Sequence, residues 1–130
     1  PVLTVTHPLF REHATGAHHP ERPPRLDAVA AALAEPAIAE LAVPLEPRPA
    51  SREELERVHS AAYLDHLAVV AEAGGGWIDE DTAMSARSLD AAALAAGAGL
   101  TAVAALRRGE GSAAFCAVRP PGHHATRRQP

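Results

Sequence analysis

The stretch that most restricts what this chain can fold into lies near its end. Ala113 to Val118 form an uninterrupted apolar run, after which the chain passes through Arg119-Pro120-Pro121-Gly122 into two adjacent histidines, His123 and His124. A run without polar alternation reads as a strand covered on both faces. Pro120 and Pro121 lack the N–H that a sheet ladder needs, and Gly122 permits a sharp turn, so the strand has to stop there. Both imidazoles are therefore expected at the carboxyl end of a buried strand, the place where open α/β sheets bind their ligands.

The preceding sequence supplies the rest of such a sheet. Val2 to Thr6 is rich in β-branched residues and predicts a first strand, ended by His7-Pro8. Leu9 to Pro24, with His13, His18 and His19, predicts a long loop, a feature that compact domains usually reserve for function. A helix opens around Pro24 and Arg25, buries Leu26, Val29, Ala30 and Leu33, and closes at Pro36. Leu41 to Leu45 predicts a second strand, at an edge because of Pro44. Ser51 and Glu54 form a capping box that starts a short helix, and the next helix shows Tyr63, Leu64, Leu67, Val70 and Ala71 on one face.

Gly74-Gly75-Gly76 is expected as a helix cap, since no Gly-Lys-Ser/Thr follows to make a phosphate loop. From Ser85 or Ala86 to Arg107 the longest helix is expected to present Leu89, Ala93, Ala96, Leu100 and Val103 as its apolar face. Gly97 and Gly99 each cost about 1 kcal/mol in a helix interior, so this helix is expected to approach the sheet closely. Alternating strands and helices predict an α/β layer fold with a parallel sheet, in one domain.

Composition narrows the function classes. Hydrophobic residues make up 47% but aromatics only 3%, so the core depends on close packing of alanine-rich helices. The net charge is −4, the twelve basic residues are all Arg and no charge run occurs, which gives no electrostatic case for direct nucleic-acid binding. The single cysteine, Cys116, is expected as a buried structural thiol. No membrane span and no signal peptide are expected, and a cytoplasmic location is the default.

Arg119-Pro120-Pro121-Gly122-His123-His124-Ala125 resembles the tandem-histidine motif of the histone deacetylase family, which includes bacterial acetoin-utilisation proteins and acetylpolyamine amidohydrolases. Three further segments resemble the same family: His19 to Leu26, Val58 to Leu64, and Trp77 to Thr82. The likeness runs from His7 to Ala125. It implies the arginase/deacetylase fold, a three-layer parallel sheet with helices on both faces, of which residues 1–130 form the amino-terminal portion. It also implies zinc-dependent hydrolysis of the acetyl-amide of acetylated lysine or a related small acetylated amine.

The resemblance assigns roles to particular residues. His124 corresponds to the general base and acid, and His123 to its proton-sharing partner. Arg25 matches an arginine in the cavity beneath the metal, where it meets the acetate product. Asp81, with Asp79 as the next choice, matches a rim carboxylate that accepts hydrogen bonds from substrate amides. Gly122 belongs to the substrate-binding part of the motif. His13, His18 and His19 are expected as solvated or rim histidines, with His18 the best rim candidate, and His59, Tyr63 and His66 as structural.

The same family carries its zinc ligands, an Asp-x-His pair and a later Asp, and its transition-state tyrosine beyond the tandem histidines. No three-ligand zinc constellation is expected within these residues, so the chain by itself is expected to be inactive, as a truncated portion of one domain. The alternative is a non-catalytic interaction or regulatory module on the same half-fold. Manganese-dependent amidine hydrolases share the fold but lack the Pro-Pro-Gly-His-His arrangement.

Overall fold

Strand β1 (Val2–Val5) lies at the centre of the sheet, although its sequence is no more apolar than that of its neighbours. A computed structural model describes all 130 residues. In it β1 pairs in parallel with β2 (Ala42–Pro44) on one side and with β5 (Ala113–Cys116) on the other. The order β2-β1-β5 leaves β2 at an edge, where Pro44 costs no ladder bond on the outer side. Leu3 and Val5 point to the same face and are nearly inaccessible, as the two-residue period of a strand requires.

Between β1 and β2 run a 3₁₀ turn (Pro8–Arg11), α1 (Pro24–Leu33) and the one-turn α2 (Pro36–Ala39). Pro24 and Pro36 each stand in the first turn of a helix, where a missing N–H breaks no internal bond. Pro36 thus opens a second short helix besides closing the first. Ser51 caps α3 (Arg52–Glu56) through the expected reciprocal bonds with Glu54, and Ser60 caps α4 (Ala61–Glu72) by accepting from the Tyr63 N–H.

Gly74, at φ +91°, follows the end of α4 as a cap residue. The next glycines correct the expectation of a cap alone. Gly75–Trp77 form β3, antiparallel to β4 (Ala83–Ser85), and a Cβ at Gly75 would fall 2.3 Å from the Met84 carbonyl oxygen. The glycines serve the close approach of two strands as well as the helix end.

Helix α5 (Ser88–Arg107) is the main packing element, but its inner face is not the one its leucines predicted. Ala91, Leu94, Ala98, Ala102 and Ala105 are buried, whereas Ala96 is exposed and Val103 is 57% exposed. Small residues let the helix axis come close to the strands, and Val5 packs directly on Ala98 and Ala102. A second cluster joins Phe10, Leu26, Ala91, Leu94 and Ala117, tying the 3₁₀ turn and α1 to the first half of α5. The close approach that explains Gly97 is to a loop and not to the sheet: a Cβ there would lie 1.7 Å from the Arg48 carbonyl oxygen. Gly99 faces open space.

Two further expectations are corrected. β5 is covered on the α5 side only, and Phe115 on its other face remains 48% exposed, because no element of these residues packs there. Cys116 is accordingly half-buried, and partial burial raises its thiol pKa. In length and composition α5 does match a membrane span, with a mean hydropathy of 1.7, contrary to the expectation that no such stretch exists. Its alanine face is used to cover β1 and β5.

Candidate functional site

The strand β5 delivers the chain to Ala117, whose N–H still donates to the Val5 carbonyl at 2.8 Å. Two residues later Arg119 is 2% exposed. A guanidinium cannot stay unpaired in such a place, and the first loop supplies its partners. Nε and Nη2 donate to the two carboxylate oxygens of Glu21 at 2.6 and 2.7 Å. Nη1 donates to the carbonyls of Phe10 at 2.9 Å and His13 at 3.0 Å. The fork geometry of arginine makes four hydrogen bonds at once to residues about a hundred positions earlier.

His13 belongs to the same cluster, which corrects its expected place among solvated or rim histidines. It is 6% exposed, its Nδ1 lies 2.7 Å from Ser88 Oγ, and its Nε2 stands 3.8 Å from Glu21. Ser88 Oγ also accepts from the Ser85 N–H at 2.7 Å, closing the entrance to α5, which has no side-chain cap from Arg87. Burial lowers the His13 pKa, the Arg119 charge lowers it further, and Glu21 only partly opposes them. For Glu21, burial favours the neutral acid, but hydrogen bonding and charge from Arg119 outweigh it, with help from His13 and Arg25, and the pKa falls. No buried side-chain nitrogen or oxygen in the chain lacks a partner.

Beyond Arg119 the character changes. Pro120, Pro121 and Gly122, the last at φ +68°, turn the chain outward, and His123 and His124 are exposed. Their ring centroids are 4.2 Å apart and the planes are inclined at 60°. Neither ring forms a hydrogen bond with another of these 130 residues. They stand on the wall of a cavity of about 340 Å³, with Glu21, His19, Tyr63, Leu89 and Met84 among the other wall residues. No lysine or arginine lines it.

The remaining candidates divide between the cavity and its surroundings. Gly122 and Asp81 both line the cavity. Asp81 lies at its mouth with the carboxylate almost fully exposed, and the hairpin turn there is held by Asp79 Oδ1, which accepts from the Asp81 and Thr82 N–H groups. Those bonds lower the Asp79 pKa. Arg25, expected inside the cavity, stands outside its lining, 61% exposed, with Nη1 3.5 Å from Glu21. Its place on the first turn of α1 turns it to solvent, and Arg119 already occupies the carboxylate.

His18 is exposed and outside the lining, while its neighbour His19 lines the cavity. The Glu21 N–H donates to His19 Nδ1 at 3.1 Å, which leaves Nε2 to carry the proton, 3.4 Å from the Asp81 carbonyl. His59 and Tyr63 also line the cavity, and His66 is exposed on α4.

Sequence reasoning passed over Glu21, Arg119 and Ser88. Arg119 did carry a signal: a charged residue placed directly after an apolar strand and before two prolines has no route to solvent along the strand, and so requires an acid. Which acid answers it depends on long-range folding of a loop with no periodicity of its own.

No three His, Cys, Asp or Glu side chains converge in a way that holds a metal ion. The donors that come nearest are already used: Glu21 by Arg119, and His13 by Ser88. The residues present do not fit a zinc ion.

A family model, the histone deacetylase domain, matches residues 19–130. An uncharacterised protein of Synechocystis is 42% identical over 121 residues, covering 91% of this chain and 40% of that protein. A probable deacetylase of Archaeoglobus fulgidus is 39% identical over 123 residues, covering 93% of this chain and 34% of its own length. Among solved structures, the crystal structure of the HDA15 HD domain superposes with a TM-score of 0.91 at 30% identity, over 99% of this chain and 39% of that one. The chain thus spans about 40% or less of the length of these relatives.

Proposed function

Because the chain belongs to the histone deacetylase family and has the arginase/deacetylase-like α/β fold, we propose that it contributes the acid–base arm of a zinc-dependent amidohydrolase that removes acetyl groups from lysine side chains or small amines. The observation that carries this reading is the tandem-histidine pair itself: two rings 4.2 Å apart on the wall of a cavity. Imidazole is the side chain most often used for general acid–base work.

In the proposed reaction His124 takes a proton from the water that attacks the acetyl carbonyl and returns one to the departing amine. His123 stabilises the charge that His124 gains. Gly122 allows substrate to approach the turn, having no side chain, and Asp81 at the mouth accepts hydrogen bonds from the substrate. Arg25, which does not line this cavity, is proposed to meet the acetate product beneath the metal, as the resemblance implies. The zinc ion would supply Lewis-acid activation of water and carbonyl. Its ligands are proposed to come from sequence other than these 130 residues, since no three ligand-type side chains converge here.

The test is hydrolysis of an acetyl-lysine reporter peptide by two forms, the 130-residue chain and one extended to the length of its relatives. The extended form should turn over, lose turnover to a chelator and regain it with zinc. The short chain should neither bind zinc stoichiometrically nor turn over. Chelator-sensitive turnover by the short chain would overturn the division of the site, and an inert extended form would overturn the deacetylase reading.

A further inference from the structure

Asp81 stands at the tip of a short hairpin. Strands β3 and β4 have three residues each, and the turn between them is braced from within by the Asp79 carboxylate and by the Ile78 N–H, which donates to the Thr82 carbonyl at 2.8 Å. Polar contacts with the first loop fix both ends of this hairpin. At its base Ser85 Oγ accepts from the Ala14 N–H and donates to the Glu12 carbonyl, each at 3.0 Å, while Ser88 Oγ meets the buried His13 ring at 2.7 Å. At its tip one side chain of the loop reaches across: His19, with Nε2 3.4 Å from the Asp81 carbonyl oxygen and 3.7 Å from the carboxylate.

The protons available set the direction of that contact. His19 Nδ1 is 3.1 Å from both the nitrogen and the carbonyl oxygen of Glu21. That carbonyl already accepts from the Thr15 hydroxyl, and a proton on Nδ1 would leave the Nε2 lone pair facing two Asp81 oxygens. With Nδ1 accepting from the Glu21 N–H instead, Nε2 carries the proton and donates towards Asp81. Glu21 is a firm base for this arrangement, because Arg119 holds both of its carboxylate oxygens. The His19 side chain keeps 22% exposure against 98% for Asp81, so the anchored partner is the histidine.

We propose that His19 is a positioning residue for the rim carboxylate: its Nε2–H holds the Asp81 backbone, so that the carboxylate stands at the cavity mouth where the amides of a peptide substrate meet it. The inference rests on the role proposed above for Asp81. It adds a residue that acts through Asp81, by which the first loop governs the affinity for peptide substrates and leaves the rate of the chemical step alone.

The experiment uses the protein extended to the length of its relatives and measures KM and kcat for an acetyl-lysine peptide. His19→Ala should raise KM about two- to tenfold, the worth of one neutral hydrogen bond, with kcat unchanged. Asp81→Ala should raise KM at least as far, and the double variant no further than Asp81→Ala, since His19 acts only through that carboxylate. His19→Gln, whose amide can still donate to the Asp81 carbonyl, should return KM to the parent's value. His18→Ala, at the exposed neighbour outside the cavity lining, should leave both constants unchanged.

An unchanged KM in His19→Ala, a fall in kcat without a rise in KM, or losses that add in the double variant would overturn the proposal. A KM unmoved by Asp81→Ala would overturn it too, and turnover by the parent would then keep the deacetylase reading intact. If the parent does not turn over, that reading fails and hydrogen exchange of the same extended protein decides the present one. Amides of residues 78–82 should exchange faster in His19→Ala and return to the parent's rate in His19→Gln, with residues 113–118 unmoved. Equal exchange at 78–82 in parent and His19→Ala would overturn the proposal.

Discussion

Arg119 and His123 are four residues apart and obey opposite rules. Arg119 is sealed from water with four hydrogen bonds to three residues, and its removal would strand a carboxylate. His123 and His124 are exposed and bonded to nothing. The first region commits its polar groups to the fold, and the second keeps them free. The buried cluster is satisfied within these residues, whereas the histidine pair finds no partner among them.

The sharpest way to break this contrast is to damage the buried side. Arg119→Met should destabilise the chain by about 3–5 kcal/mol, since it removes both close hydrogen bonds to the half-buried Glu21 and leaves it only the longer contact with Arg25. Urea denaturation at neutral pH reads the change. A loss below about 1 kcal/mol, the value of a surface ion pair, would mean that Arg119 and Glu21 are not a buried unit.

The same opposition between filled and open space occurs within α5. Gly97→Ala should cost about 1–3 kcal/mol, because the new methyl meets the Arg48 carbonyl and the backbone of Pro49 and Ala50. Gly99→Ala meets nothing within 4 Å and should gain about 1 kcal/mol from helix propensity. Equal effects at the two positions would contradict the docking of the 48–50 loop on the helix.

Acidification should loosen the buried region first. His13 has a folded pKa below its ordinary 6.5, so the unfolded chain binds its proton more readily, and the stability due to its neutral burial, complete above about pH 6.5, is lost as pH falls towards the folded value. Glu21, also lowered, contributes stability that is complete above its ordinary 4.5 and lost as pH falls through the folded pKa. Urea midpoints should therefore decline in two stages, the first beginning below pH 6.5. His13→Asn, whose amide can still meet Ser88, should remove the first stage and keep the second. A first stage that survives the substitution would place its origin elsewhere.

Much of this arrangement was legible in the sequence, and the parts that were not share a cause. The parallel sheet, the edge place of β2, the Ser51–Glu54 box and the outward turn after Val118 all follow from local rules: periodicity, proline chemistry, capping. The face of α5 did not, because hydrophobic size pointed to Leu89, Leu100 and Val103, whereas proximity to the strands selected alanines. His13 was misplaced for a related reason. Loop histidines are usually solvated, and only the folded chain reveals that Arg119, about a hundred residues later, draws Glu21 and the His13 carbonyl around itself. Arg25 has a motif match, and among these residues its side chain stands at the surface beside the carboxylate that Arg119 holds. Family resemblance found the histidine pair; the buried cluster beside it depends on contacts too distant in sequence for any local pattern.

The most direct measurement sets turnover beside stability for one substitution, His124→Ala, in the protein extended to the length of its relatives. Turnover of an acetyl-lysine peptide should fall about 10²- to 10⁴-fold, the usual contribution of a general acid–base group. Zinc content and the urea midpoint should match the parent, because the ring supports nothing else. Turnover at the parent's level in a protein of unchanged stability would contradict the account and take the acid–base role away from His124.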